Sequence, residues 1–214
     1  HQFWLLAGAF SGFMVMSPIL ATSLYAISRD IELGRTVSIQ TISNTWLNWQ
    51  LDRSRDPNSY WCLIRFGILL GAAATAWVLS SAAFITLVTD HPINTPKDFI
   101  LHVVLADKGI AFELWLMLGG LLAAPIFASS AISIPLLLDK QVKLWQAVEV
   151  SWRCVLANPG LLASWAAVLM LLTLIGMATF LVGLIIVIPV LGHASWHAYK
   201  ELIDSSQIPS RQQL

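Results

Sequence analysis

The chain has 214 residues, 57% of them hydrophobic and 11% charged, with a mean hydropathy of +0.73. Soluble domains carry about 25% charged and roughly 45–50% apolar residues, and a chain this short cannot hide the excess inside itself; the sequence reads as an integral membrane protein. Twelve Lys and Arg balance twelve Asp and Glu, which leaves no electrostatic footprint for nucleic acid, and two cysteines, Cys62 and Cys154, exclude the disulfide framework of a small secreted domain.

Crossing a hydrocarbon core of about 30 Å takes roughly 20 apolar helical residues. Taken in chain order, spans are predicted at about residues 3–28, 61–89 and 110–138. The next apolar run, Leu161–Gly192, would reach about 48 Å as one helix, more than tilt absorbs. It is expected to break near Phe180–Gly183, between Gly176 and Gly183, into spans 161–179 and 184–203. The arms should meet through Ala166, Leu169 and Thr173 on one side and Ile185 and Ile188 on the other. Residues 204–214 are left as a polar tail. The fold class is thus all-α: one transmembrane domain over 1–203, a polytopic bundle with five spans. The chain opens on His1 without Met, so it reads as a fragment, and one upstream span would make six.

Two stretches between spans show helical amphipathic spacing. In 37–51 the apolar residues are Val37, Ile39, Ile42, Trp46 and Trp49. In 142–157, Leu144, Val148, Trp152 and Val155 take one face, and Lys143, Gln146, Glu149 and Arg153 the other. Both are predicted to lie along the membrane surface. Lysine and arginine set the orientation. Arg29, Arg35, Arg53, Arg55, Arg65, Lys140, Lys143, Arg153, Lys200 and Arg211 share one side of a five-span chain, against Lys97 and Lys108 on the other. That places the tail in the cytoplasm and the loop 90–109 outside.

The sharpest chemical constellation is His193, His197 and Glu201, at successive four-residue steps. Imidazoles at i and i+4 can share a metal or pigment, so His193 and His197 are the candidate cofactor ligands. The same positions suit plain interface residues beside Trp196 and Tyr199. No metal is assigned and no cofactor is otherwise expected. His91 and His102 fall on the opposite side, and Glu149 or Arg153 are the expected neighbours of the histidine face. Arg65 and Glu113, the charges within spans, lie near helix ends where side chains snorkel. Asp30 and Asp139 read as helix-end residues. The remaining polar groups in the spans are hydroxyls, which together with the small-residue steps Gly8–Gly12, Gly67–Gly71 and Gly120–Ala124 read as helix-packing surfaces.

The phrases Gly12-Phe13, Pro18-Ile19-Leu20-Ala21 and Tyr25-Ala26-Ile27-Ser28-Arg29, with the closing run Gly183 to Tyr199 through Pro189, His193 and His197, resemble an uncharacterised family of predicted bacterial integral membrane proteins, the domain of unknown function DUF2189. Pro135 to Asp139, Ala147, Ser151-Trp152-Arg153 and Asn158-Pro159 resemble a broader group of bacterial multi-span proteins. The family resemblance extends over nearly the whole chain. It implies a bacterial inner membrane and a further N-terminal span, and supplies no activity. The expected function is a non-catalytic accessory or assembly subunit, contacting lipid and other membrane subunits, for instance of a respiratory or photosynthetic complex. The alternative is a small-solute or lipid transporter. Prolines within spans motivate it, as does an echo of Gly12, Pro18, Leu20, Tyr25 and Arg29 in Gly183, Pro189, Leu191, Trp196 and Lys200.

Overall fold

The computed structural model describes residues 21–51, 61–89, 91–93, 95–105, 110–179 and 181–210; the side chains of residues 46, 48–51, 96 and 111 are not described. The predicted span 3–28 therefore lies mostly outside the described residues, as do Gly8 and Gly12. Residues 21–32 are helical (α1). They are followed by α2 (Ile39–Leu51), α3 (Trp61–Val88), α4 (Pro96–Phe99) running into a π-helix (Ile100–Val104), and α5 (Ala111–Ser130). Then come α6 (Ser133–Asp139), α7 (Leu144–Ala157), α8 (Pro159–Ala178) and α9 (Leu184–Leu202). The described residues contain no β-strand beyond one isolated bridge, Lys140 to Ser210. Among the described residues, three stretches are long and apolar enough to cross a membrane: Trp61–Val88, Phe112–Asp139 and Pro159–Ala178. The α9 helix forms over 19 residues but is not among them, because His193, Ser195, His197, Lys200 and Glu201 make its second half polar.

The chain divides into two compact units, one holding Gly67–Ile126 and the other drawing on Ser17–Phe66 and Phe127–Leu214. In the first, α3 and α5 meet through tryptophan. Trp77 and Trp115 lie 5.8 Å apart, Phe99 sits 5.4 Å from Trp115 edge-on, and Trp115 Nε1 donates to Ser81 Oγ at 2.6 Å. A Cβ on Gly119 would stand 3.1 Å from the Trp77 ring. By contrast, a Cβ on Gly67 or Gly120 would meet no described atom within 4 Å, and Gly120 and Ala124 are exposed. The close approach within the chain thus falls one residue before the expected Gly120, which turns it about 100° around the helix. The connecting segment over 90–109 contains helix as well, among its described residues. Thr95 caps α4, with Asp98 N–H donating to Thr95 Oγ1 and Thr95 N–H to Asp98 Oδ2, a reciprocal capping box with Pro96 as first helical residue.

In the second unit α1 ends at Gly34, whose φ of +66° only glycine adopts without strain. Gly34 N–H donates to Ile31 O and Arg35 N–H to Asp30 O, the paired bonds of a Schellman stop. Helix α6 is the centre, with every residue buried. Its first free amide, Ile132 N–H, is satisfied by Ser151 Oγ from α7 at 3.2 Å. The buried stripe of α7 is Leu144, Ala147, Ser151 and Cys154. On the face predicted to lie along the membrane, Trp152 is exposed and Val148 and Val155 are half-buried. Small residues let α7 approach α6 closely, whereas large apolar ones gain nothing by leaving lipid for protein. Trp152 instead donates Nε1–H to Ser129 Oγ at 2.9 Å.

The α7 helix stops at Asn158, and Pro159 starts α8 as its first residue. The long apolar run breaks at residues 179–183, between α8 and α9. There Thr179 Oγ1 donates to Gly176 O and accepts Gly183 N–H, at 2.8 and 2.9 Å, and Leu181 takes a left-handed φ of 69°. The arms touch at the turn, where a Cβ on Gly183 would lie 3.0 Å from Gly176 Cα. The expected Thr173, Ile185 and Ile188 are exposed.

Candidate functional site

The ionic residues of the second unit converge where α1, α6, α9 and the segment after α9 meet. Asp139, at the end of α6, is buried, and its Oδ2 accepts the phenol of Tyr199 at 2.9 Å. The same oxygen lies 3.9 Å from both Lys140 Nζ and Lys200 Nζ. Glu32 accepts Trp196 Nε1–H at 2.9 Å through one oxygen and pairs with Lys200 at 3.6 Å through the other. Arg29 is buried and donates to Leu138 O at 3.1 Å, so its charge sits on the negative, C-terminal end of α6. Asp30 accepts Thr41 Oγ1–H from α2 at 3.2 Å and faces Arg35 at 3.7 Å. Trp196 and Tyr199 are fully buried and stack obliquely, with ring centroids 5.5 Å apart. Burying this many charges is tolerable only because each carboxylate meets a donor or a cation.

The segment after α9 belongs to this junction. Gln141 N–H donates to Pro209 O at 3.0 Å, Lys140 Nζ reaches Ser210 Oγ, and Ser205 is buried with its Oγ 3.4 Å from the Tyr199 phenol. Within it, the Ser206 amide holds the Asp204 carboxyl below the usual carboxylate range. Residues 204–210 thus dock on the α6–α7 link, which a free polar tail would not do.

On the other edge of α9 the two histidines come together. His193 Nε2 and His197 Nε2 are 3.1 Å apart, and His193 Nδ1 lies 2.9 Å from Ser28 Oγ on α1. The approach is close because Gly192 faces Leu24, where a Cβ would come within 2.7 Å of the leucine side chain. The neighbour of the histidine face is α1. Glu149 and Arg153 pair with each other on exposed α7 surface, at 2.5 Å. Glu201 is exposed, and no group of three or more His, Cys, Asp or Glu suited to a metal occurs among the described residues. A second imidazole pair, His91 and His102, has centroids 4.5 Å apart. Nothing in the sequence flags it, since the two residues sit on different elements without shared periodicity.

The hydroxyls in the described helices fall into two groups. Ser81, Ser129 and Ser151 bond across helices. Thr75, Thr86 and Ser164 return their proton to a carbonyl of their own helix, as lone hydroxyls in apolar helices do, and Ser133 at the start of α6 returns its proton to Ser129 O at the end of α5. Cys154 is buried, which pushes its thiol pKa up.

Residues 5–139 match a family model described as a predicted integral membrane protein, DUF2189. The match stops at Asp139, so α7 to α9 and the histidine pair lie beyond it, a narrower span than the resemblance of the closing run implied. No curated protein and no solved structure matches the chain. With the match covering most of its length, the chain belongs to the DUF2189 family of predicted integral membrane proteins.

Proposed function

We propose that the protein is a non-catalytic subunit that packs within a larger complex of the bacterial inner membrane, in an accessory or assembly role. Five spans, with α9 as the fifth and the chain ending in the cytoplasm, give the arrangement that the basic residues favour. The observation that carries the reading is the open small-residue face of α5. Gly120 has no described neighbour within 4 Å, and Ala124 one turn on is exposed. Such a face lets a second helix approach to backbone contact, which lipid chains fill poorly. The ionic groups support the same reading, because they tie α1, α6 and α9 to one another. A photo-crosslinking residue at position 120, compared with one at exposed Ile186 on α9, tests it in intact membranes. The reading expects a discrete protein adduct from position 120 and lipid adducts from position 186. Lipid adducts alone from both would refute it. A solute carrier is the second reading, favoured by Pro125 and Pro189 within α5 and α9; solute flux in proteoliposomes containing this chain alone would establish it.

A further inference from the structure

Two bonds tie His193 to α1 through Ser28. The Ser28 hydroxyl has one proton, and it goes to Leu24 O at 2.9 Å. With that bond made, Ser28 Oγ accepts from His193 Nδ1 at 2.9 Å, the arrangement in which the neutral ring carries its hydrogen on Nδ1 and its lone pair on Nε2. That Nε2 faces His197 Nε2 at 3.1 Å, and both histidines are exposed. In the metal-free protein one hydrogen lies between the two nitrogens, donated by His197.

We propose that His193 and His197 chelate a divalent transition metal of the zinc and copper class through their Nε2 atoms, with Ser28 as the positioning residue. A metal about 2.0–2.1 Å from each nitrogen would subtend an angle of about 95–102° across 3.1 Å. This lies between the octahedral and tetrahedral values, so the observed separation needs little adjustment. On binding, the His197 hydrogen moves from Nε2 to Nδ1 and the metal takes its place, with no change in charge on either ring. Imidazole nitrogens suit zinc, copper and nickel. A ligating histidine whose other nitrogen donates to a fixed acceptor has its ring orientation set in advance, and Ser28, itself buried, does this here. The nearest cation along α9, Lys200, is compensated by Glu32 and Asp139. With two protein ligands, the remaining coordination positions are open to water or to a donor from outside the chain.

The test uses the purified full chain in detergent micelles, titrated with Cu(II) and followed by electron paramagnetic resonance, with Zn(II) in competition against a chromophoric chelator. His1, His91 and His102 are replaced by alanine in the parent, which leaves the pair as the only histidines. One ion per chain with hyperfine coupling to two imidazole nitrogens is expected. His197, whose ring bonds only to His193 among the described residues, can be replaced: His197→Ala should lose at least tenfold in affinity and show one nitrogen. Ser28→Ala should lose about tenfold to a hundredfold while keeping both nitrogens. Binding that His197→Ala leaves unchanged, or coupling to a single nitrogen in the parent, would overturn the proposal. If His193→Ala is poorly folded, His197→Ala decides the matter, since its far-ultraviolet circular dichroism should match the parent.

Discussion

Tyr199 offers a test of the ionic junction because its hydroxyl can be removed without opening a cavity. In Tyr199→Phe the ring stays packed against Trp196, and only the 2.9 Å bond to Asp139 Oδ2 and the longer contact with Ser205 are lost. A hydrogen bond to a charged partner contributes about 1.5–3 kcal/mol. Asp139 keeps Lys140 and Lys200, both 3.9 Å away, so its charge stays compensated and the cost should fall at the lower end, about 1.5–2 kcal/mol. For a chain of this length each kcal/mol moves the midpoint by roughly 2–4 °C, so Tm should drop by about 3–8 °C. The assay is thermal unfolding in detergent, read by tryptophan fluorescence. Asp139→Asn and the double variant complete a cycle, in which the coupling should exceed about 1 kcal/mol, well above the roughly 0.3–0.5 kcal/mol of independent sites. A Tyr199→Phe midpoint within a degree of wild type, or additive single effects, would show that the buried phenol does not hold α9 to α6.

Gly183→Ala should destabilise the chain by about 1–3 kcal/mol, because the new methyl meets Gly176 Cα at 3.0 Å as well as the Thr179 hydroxyl; an unchanged unfolding midpoint would refute that packing. Burial raises the Cys154 thiol pKa, so the thiolate forms at higher pH than in a free cysteine. Its maleimide labelling should be slower than that of an exposed thiol at pH 7 and accelerate as pH rises further; labelling at the free-thiol rate at pH 7 would contradict the burial. Under the proposed five-span arrangement, in which ten basic residues share the side of the tail, an alkaline phosphatase fusion after Leu214 should be inactive in cells and a green fluorescent protein fusion bright; active phosphatase would refute that arrangement.

The helices were legible because length and apolar runs are collective signals. Trp61–Val88 emerges within a residue of its predicted limits, and the break between α8 and α9 follows from bilayer thickness alone. What each helix buries was less legible. In α7 the large residues Val148 and Trp152 mark the face read as lying on the membrane, while the residues buried against the protein include the small Ala147 and Ser151, which the pattern does not single out. Lipid is as good a solvent for valine as another helix is, so the size of a side chain does not predict its burial. At the candidate site, His193 and His197 were readable from their i, i+4 step. Ser28 was not, since it lies 165 residues away in sequence. The same holds for Glu32 with Trp196 and for Asp139 with Tyr199. Read singly, Asp30 and Asp139 look like charges that end helices; only the folded chain reveals what they bind. The segment 204–210 looks like a solvated tail because its bonds to 140–141 run through backbone and short side chains, which leave no hydrophobic pattern.

Native mass spectrometry of the protein, extracted from its own membranes at its natural expression level, tests the central claim most directly. A packing subunit should leave the detergent with at least one other membrane subunit at fixed stoichiometry, and Gly120→Leu should release it while sparing its own unfolding midpoint, since no described neighbour lies within 4 Å of that position. A wild-type chain that appears only as a monomer with bound lipid would contradict the account.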